Sequence, residues 1–226
     1  MSTNAAAAPL AWMRGNRNLL LFVVLILLVV AMPWCERSPG GELVFLGMLV
    51  LIIGMAVAAN GAARRSFWLA AALGAPTVLL AMTAHLVRQQ ALLVLGWFFA
   101  AAVFVVTILC ILREVFQPGS ITRERLFACA NVYMLLAVLW CFLYAINEHF
   151  VPGSYPGIGP VKSLHVVEMA YFSFQVVTQV GLTDVVPASR SAKSLVILQE
   201  LASVLYMAFV ISRLVGLYAP QDAQTK

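Results

Sequence analysis

Long uncharged apolar stretches dominate the chain, and short polar segments separate them. Five stretches reach the roughly 17 to 25 residues that a membrane-spanning helix needs. They cover residues 19–35, 43–59, 67–84, 91–112 and 126–146. A sixth, residues 192–218, contains Gln199 and Glu200 but is still long enough to span. The pattern predicts an all-α membrane protein with six transmembrane helices.

Residues 147–190, between the fifth and sixth predicted spans, follow a different pattern. They begin with a loop rich in Pro and Gly, which does not continue a helix. From Ser163, a candidate N-cap, to Thr178 the sequence can be helical, but this length amounts to only about 22 Å. Gly181 and its polar neighbours then favour an extended chain. We expect a re-entrant segment, whose irregular backbone is tolerated at membrane depth only where protein or a watery path surrounds it.

Composition agrees with a membrane protein, because 63% of the residues are hydrophobic and only 10% are charged. These values exclude a soluble domain, a disordered chain and a secreted disulfide scaffold. The net charge of +5 comes from basic residues placed singly or in pairs between apolar stretches, which is typical of topology signals and not of nucleic-acid binding. The four cysteines have no CxxC or Cys/His spacing and predict buried thiols.

The basic residues also predict an orientation. Alternating the loops places nine Lys and Arg residues on one side and five on the other, and the richer side is expected to be cytoplasmic, with both termini. The first stretch has an alternative interpretation as a cleaved signal peptide. Pro33 and Trp34 make a poor cleavage site, so a spanning helix is favoured.

The stretch YFSFQVVTQVGLTDVVP, residues 171–187, resembles the pore loop of tetrameric potassium channels. That loop has an aromatic-rich pore helix ending in Thr, then TVGYGD, then a Pro three residues on. The matching positions are Thr178, Val180, Gly181, Asp184 and Pro187. The flanking helices resemble the outer and inner pore helices of small bacterial ion-channel proteins, so the resemblance covers roughly residues 120–218.

The resemblance implies a homotetramer, because each chain carries one pore loop and a closed ring needs several copies. The selectivity filter is expected at Thr178, Gln179, Val180, Gly181, Leu182, Thr183 and Asp184. Its carbonyl oxygens would replace the water around K⁺ or Na⁺. Transient cations there are the only metal expected, with no other cofactor. Helical spacing on the last span predicts pore-lining residues at Glu200, at Ser203 or Val204, and at Met207 and Ile211.

Three residues depart from the family pattern. Gln179, Leu182 and Thr183 stand where the family has Thr, Tyr and Gly. Thr183 is β-branched and disfavours the positive φ that Gly allows, so we expect weak ion selectivity. Asp184 has two interpretations, an acidic ring at the outer mouth or a loop cap. Glu200 also has two, lining the cavity or hydrogen bonding behind the filter.

These observations predict two domains: residues 1–116, a four-helix bundle without voltage-sensor charges, and residues 117–226, the pore domain. The expected function is that of an ion channel subunit passing monovalent cations through a non-standard filter. The alternative is a non-conducting membrane scaffold or regulatory subunit that retains the pore fold. An enzyme is not expected, because no GxSxG or HExxH motif occurs. The resemblance favours a bacterial inner membrane.

Overall fold

The computed structural model describes residues 15–37, 41–59, 64–87, 89–117, 122–157 and 165–218, which form seven helices and no strand. The helices are α1 (Arg17–Arg37), α2 (Gly41–Ala59), α3 (Arg64–Val87), α4 (Gln90–Phe116), α5 (Arg123–Phe150), α6 (His165–Val177) and α7 (Arg190–Tyr218). The all-α prediction is confirmed for this part of the chain. The predicted N-cap Ser163 lies outside the described residues.

Four of these helices are long and apolar enough to cross a membrane. The spanning stretches are Arg17–Cys35, Gln90–Phe116, Arg123–Phe150 and Arg190–Val215, and shorter apolar stretches occur at Gly47–Ala56, Ala70–Ala84 and Val166–Val177. The chain is therefore an integral membrane protein. The second and third predicted spans correspond to α2 and α3, whose described apolar stretches are shorter, so the number six stays a prediction.

Helix α5 lies at the centre of the described helices and packs against α1, α4, α6 and α7. Its N-terminus is capped by Thr122, whose side chain accepts a hydrogen bond from the Arg125 backbone N–H. Phe142 of α5 stacks on Phe104 of α4 with ring centroids 5.8 Å apart. The core thus joins the N-terminal helices to the C-terminal ones mainly through α5, with a smaller direct contact between α1 and α6.

Polar contacts bring the start of α1, the end of α4 and the start of α5 together at one end of the molecule. Arg17 Nη2 lies 2.7 Å from both carboxylate oxygens of Glu114. Glu124 accepts a hydrogen bond from the Asn18 backbone N–H at 3.0 Å, and Asn131 donates to the Asn18 carbonyl at 2.8 Å. Successive helices that alternate in direction would place the start of α1, the end of α4 and the start of α5 at the same end of the molecule.

Which membrane side this end faces stays a prediction. Several basic residues that predict the orientation lie outside the described residues: Arg14, Arg88, Lys162 and Lys226.

Candidate functional site

Helix α6 runs antiparallel to α5, so that its first residues lie near the C-terminal part of α5 and its last residues lie nearer the N-terminal part. Near its start, the Val166 carbonyl accepts a hydrogen bond from Cys141 Sγ at 3.3 Å. At its end, the Val177 carbonyl accepts one from the Tyr133 hydroxyl at 2.6 Å. At 1.5 Å per residue, Tyr133 is about 15 Å from the start of α5 and about 25 Å from its end. The short helix therefore ends beside the middle part of a spanning helix.

A Schellman motif ends α6. The Val180 N–H bonds the Gln175 carbonyl at 3.2 Å, and the Gln179 N–H bonds the Val176 carbonyl at 3.1 Å. Gln179 occupies the left-handed position of this motif with a φ of 58°. Glycine is the usual residue there because it has no Cβ. Sequence reasoning placed the left-handed residues at the glycine positions, and nothing in the sequence marks Gln179 as another.

Left-handed residues recur at every second position after the helix, at Gln179 and then at Gly181, which has a φ of 65°. The next position in this alternation is Thr183, and it has no positive φ. Its hydroxyl instead accepts a hydrogen bond from the Val185 N–H at 3.1 Å. The alternation therefore ends before Thr183, the position where the potassium-channel pattern carries a second glycine.

The chain itself leaves the residues after α6 largely uncovered. Residues 178–182 are exposed, with Val180 at 53% and Leu182 at 73% of their full accessibility. Asp184 is exposed as well. The Tyr171 hydroxyl of α6 donates a hydrogen bond to the Leu182 carbonyl at 3.3 Å. An uncovered apolar segment beside a spanning helix indicates a surface that another molecule covers.

The loop of residues 151–157 packs against the far end of this segment. The Glu148 carboxylate accepts hydrogen bonds from the backbone N–H groups of Gly153 and Tyr155, at 2.7 and 3.0 Å. The Ser154 carbonyl accepts one from the Ala188 N–H at 2.8 Å, and the hydroxyls of Ser154 and Ser189 are 2.8 Å apart. Hydrogen bonds therefore hold Ser154, before α6, next to Ser189, just before α7.

Close packing in this loop requires a glycine. Gly157 has a φ of 101°, and a Cβ at this position would lie 3.0 Å from the Asp184 carbonyl oxygen. Burial raises the pKa of Tyr155, and the nearby Glu148 adds to this effect, so the hydroxyl stays neutral at physiological pH. The ring of Tyr155 packs on Tyr144 and Phe172, with centroids 5.3 and 5.6 Å away. The loop is thus fixed to both α5 and α6.

A buried polar network connects α5, α6 and α7. Gln199 Nε2 of α7 donates to the carbonyl and the hydroxyl of Ser173 in α6, at 2.9 and 3.0 Å. Gln199 Oε1 accepts a hydrogen bond from the Tyr144 hydroxyl of α5. Sequence reasoning emphasised the neighbouring Glu200 and missed Gln199. The available signal was an amide inside an apolar helix, which needs a partner at membrane depth.

A groove of about 650 Å³ separates the segment after α6 from α7. Gln179, Gly181 and Thr183 line one wall. Glu200 lies on the opposite wall and is exposed. The structure thus brings Glu200 alongside the predicted filter residues.

The other predicted pore-lining residues divide into two groups. Met207 and Ile211 are exposed and share one helix face with Glu200, since they lie seven and eleven positions further on. Ser203 is buried, with 1% of its accessibility left, and donates to the Gln199 carbonyl at 2.7 Å. Spacing of three or four residues from Glu200 allows Ser203 or Val204, and Val204 is the exposed one that lines the groove. A pore-lining role stays a prediction for these residues.

The described residues contain no group of three His, Cys, Asp or Glu side chains arranged to hold a metal ion. All four cysteines are free thiols, and three of them are buried. The candidate site is therefore the segment of residues 178–184 with the groove and the network that support it.

Residues 128–219 match the family model that is described as an ion channel. This segment is an ion-channel domain. It includes most of α5, all of α6, the exposed segment and α7, so every feature of the candidate site lies inside the ion-channel domain. The match does not include α1 to α4. No curated protein and no solved structure matches the chain at a significant level.

Proposed function

We propose that four copies of this chain form a pore for monovalent cations such as K⁺ and Na⁺, in the inner membrane of a bacterium, with both termini cytoplasmic. The filter is formed by residues 178–184, and the pore-lining face of α7 carries Glu200, Met207 and Ile211. The match to the ion-channel family supports an ion-channel function. The permeant ion, the filter residues and the number of copies are added by this proposal.

The observation that carries the proposal is the depth at which α6 ends. Its last carbonyls lie beside Tyr133, near the middle of α5, and the extended chain then rises to Asp184 beside the loop of residues 151–157. An irregular backbone at this depth requires either cover or a watery path. The alternating left-handed residues Gln179 and Gly181 give this segment the bent backbone that a ring of carbonyl oxygens needs.

The exposed face of α7 supports an assembly of several copies. Helix α7 packs on α5 and α6 through one face, which carries Gln199, Ser203 and Tyr206, and its other sides hold exposed Leu, Val, Ile and Phe side chains. Four copies arranged around the exposed segment would bring Asp184 into a ring. Such a ring of carboxylates raises the local cation concentration at the outer mouth.

A non-conducting scaffold is the second candidate, and the conformation of Thr183 favours it. Because Thr183 has no positive φ and its hydroxyl caps the Val185 N–H, the outer oxygen positions differ from those of the potassium-channel pattern. A filter with fewer oxygen sites either conducts with weak selectivity or does not conduct. Unitary current from a verified tetramer separates these functions.

The double substitution Leu182→Tyr with Thr183→Gly tests the filter assignment. It restores the hydroxyl and the glycine of the family pattern, so the K⁺/Na⁺ permeability ratio should rise by about tenfold, equal to about 1.4 kcal/mol. Reversal potentials under bi-ionic conditions measure this ratio. Val186→Tyr is the matched control, because Val186 is exposed just beyond the filter, and it should leave the ratio unchanged. An unchanged ratio in the double variant would contradict the assignment.

A further inference from the structure

The hydrogen bonds of Gln199 form one directed series across three helices. The Tyr144 hydroxyl donates to Gln199 Oε1, Gln199 Nε2 donates to the Ser173 hydroxyl, and the Ser173 hydroxyl donates to the Ala137 carbonyl at 2.7 Å. The series starts and ends on α5 and passes through α7 and α6. The Ser173 carbonyl, which can only accept, also receives a bond from Nε2 and so fixes the orientation of the amide.

This series is shielded from solvent. Gln199, Ser173 and Tyr144 have no accessible surface. Removing one member leaves the others unpaired in a region where neither water nor lipid tails replace the lost bond. The bonds therefore favour a single position of α6 relative to α7.

Ser173 lies close to the filter along the chain. It precedes Thr178 by five residues, which corresponds to about 7.5 Å of helix. A shift of α6 at Ser173 therefore moves the Schellman motif at Gln179 and the carbonyls that follow it. The Tyr133 hydroxyl of α5 holds the last turn of α6 at Val177, and the Tyr133 ring stacks on Tyr206 of α7 with centroids 6.3 Å apart.

We propose that Gln199 is a positioning residue for ion conduction, which holds α6 and therefore the filter at one height against α7. This inference rests on the proposed function. It predicts that the amide of Gln199 matters for the filter beyond its contribution to stability.

The chain offers a matched control for stability. The Tyr206 hydroxyl of α7 donates to the Cys129 carbonyl of α5 at 2.6 Å, and both residues are buried. This bond joins the same two helices as the Tyr144–Gln199 bond but does not involve α6. Tyr206→Phe keeps the ring that stacks on Tyr133, so it removes one buried bond between α5 and α7 but leaves the contacts of α6 in place.

The experiment compares Gln199→Met, Gln199→Glu and Tyr206→Phe in the full chain reconstituted into liposomes. Methionine keeps the length of the side chain but removes its polar atoms. We expect Gln199→Met to lower the K⁺ flux per folded oligomer by about tenfold, equal to about 1.4 kcal/mol, and Tyr206→Phe to leave it within about twofold. A neutral carboxylic acid in Gln199→Glu can accept from Tyr144 and donate to Ser173. Its flux should therefore stay high at low pH and fall as pH rises, unlike that of Gln199→Met.

Hydrogen exchange of the backbone amides of residues 178–184 provides a second readout that does not depend on conduction. Gln199→Met should accelerate this exchange, and Tyr206→Phe should not. If Gln199→Met does not fold, the variant Tyr144→Phe is used in its place in both measurements, because it also removes one bond of the series. Equal effects of the Gln199 and Tyr206 variants on flux and exchange would overturn the positioning role. A wild-type chain without flux would refute the proposed function, while the exchange comparison would still decide whether Gln199 positions the segment.

Discussion

Gln179 holds a backbone conformation that its residue type disfavours. A residue with a Cβ in the left-handed region is strained by roughly 1–2 kcal/mol, and amide side chains as long as that of Gln offer little local compensation. The motif at the end of α6 nevertheless requires this conformation, because two hydrogen bonds close across it. The strain lies at the first residue of the predicted filter after Thr178, where it bends the chain away from the helix axis.

Gln179→Gly should therefore stabilise the protein. Removing the left-handed strain contributes about 1 kcal/mol, which raises the apparent Tm by about 2–4 °C in a chain of this size. Thermal unfolding in detergent measures the change. The same substitution at Gln175 inside α6 is the control, and there it should lower the Tm, since Gly costs about 1 kcal/mol in a helix. A lower Tm for Gln179→Gly would show that the amide side chain contributes more than the strain costs.

For single residues, the sequence predicts the backbone conformation that a residue type allows better than it predicts which side chains contact each other. Gly181 has the positive φ that its residue type and position predict, and Thr183 avoids it. Gln199 was overlooked because an amide is less conspicuous in an apolar helix than the carboxylate of Glu200. Which of two adjacent polar residues faces the core depends on the tertiary packing of α7, and the weak apolar periodicity of that helix does not encode it.

Among the elements, the loop at residues 151–157 shows how a short irregular segment supports the predicted filter. The Glu148 carboxylate of α5 accepts hydrogen bonds from its backbone N–H groups. The Ser154 carbonyl accepts one from the Ala188 N–H, just before α7. Gly157 approaches the Asp184 carbonyl so closely that a side chain has no room. The loop therefore fixes the position of the C-terminal end of the exposed segment.

Gly157→Ala should loosen that end. The substitution combines the penalty of a left-handed residue, about 1–2 kcal/mol, with a contact of 3.0 Å to the Asp184 carbonyl. Gly153→Ala is the matched control, because Gly153 also has a positive φ but no atom within 4 Å of a new Cβ. We expect Gly157→Ala to lower the Tm more than Gly153→Ala and to accelerate hydrogen exchange at residues 184–189. Equal effects would show that the close contact with Asp184 is unimportant.

The elements themselves were largely predictable from length and apolar pattern. The short helix between the fifth and sixth predicted spans is present, because Pro and Gly interrupt the chain before it and Gly181 follows it. Its antiparallel course along α5 was not predictable in detail. That course depends on side-chain bonds from Tyr133, Cys141 and Ser173, which join residues far apart in sequence.

On the scale of the whole molecule, the N-terminal helices are joined to the ion-channel domain but carry few charges that could sense voltage. Helix α4 has Arg113 and Glu114 near its C-terminal end, and Glu114 is paired with Arg17. Each charge that crosses the membrane contributes only about 2.3 kcal/mol per 100 mV, so steep voltage gating needs many of them. A weak dependence of conductance on voltage therefore remains our expectation. The division of the chain near residue 116 also remains a prediction.

The assembly is the least predictable level, because the residues that a ring of copies would cover are those that the single chain leaves exposed. The structure leaves the segment after α6 uncovered beside the middle part of α5, and the sequence predicts a re-entrant segment at these residues. Lipid would leave that backbone without hydrogen-bond partners, whereas three further copies would surround it with oxygen and water.

Current through planar bilayers that contain the purified full chain, verified as a tetramer, tests the central claim most directly. The account predicts unitary currents whose reversal potential follows the gradient of K⁺ or Na⁺ and not that of Cl⁻, with little change in open probability between negative and positive potentials. A folded tetramer that carries no current, or one whose current follows Cl⁻, would contradict it.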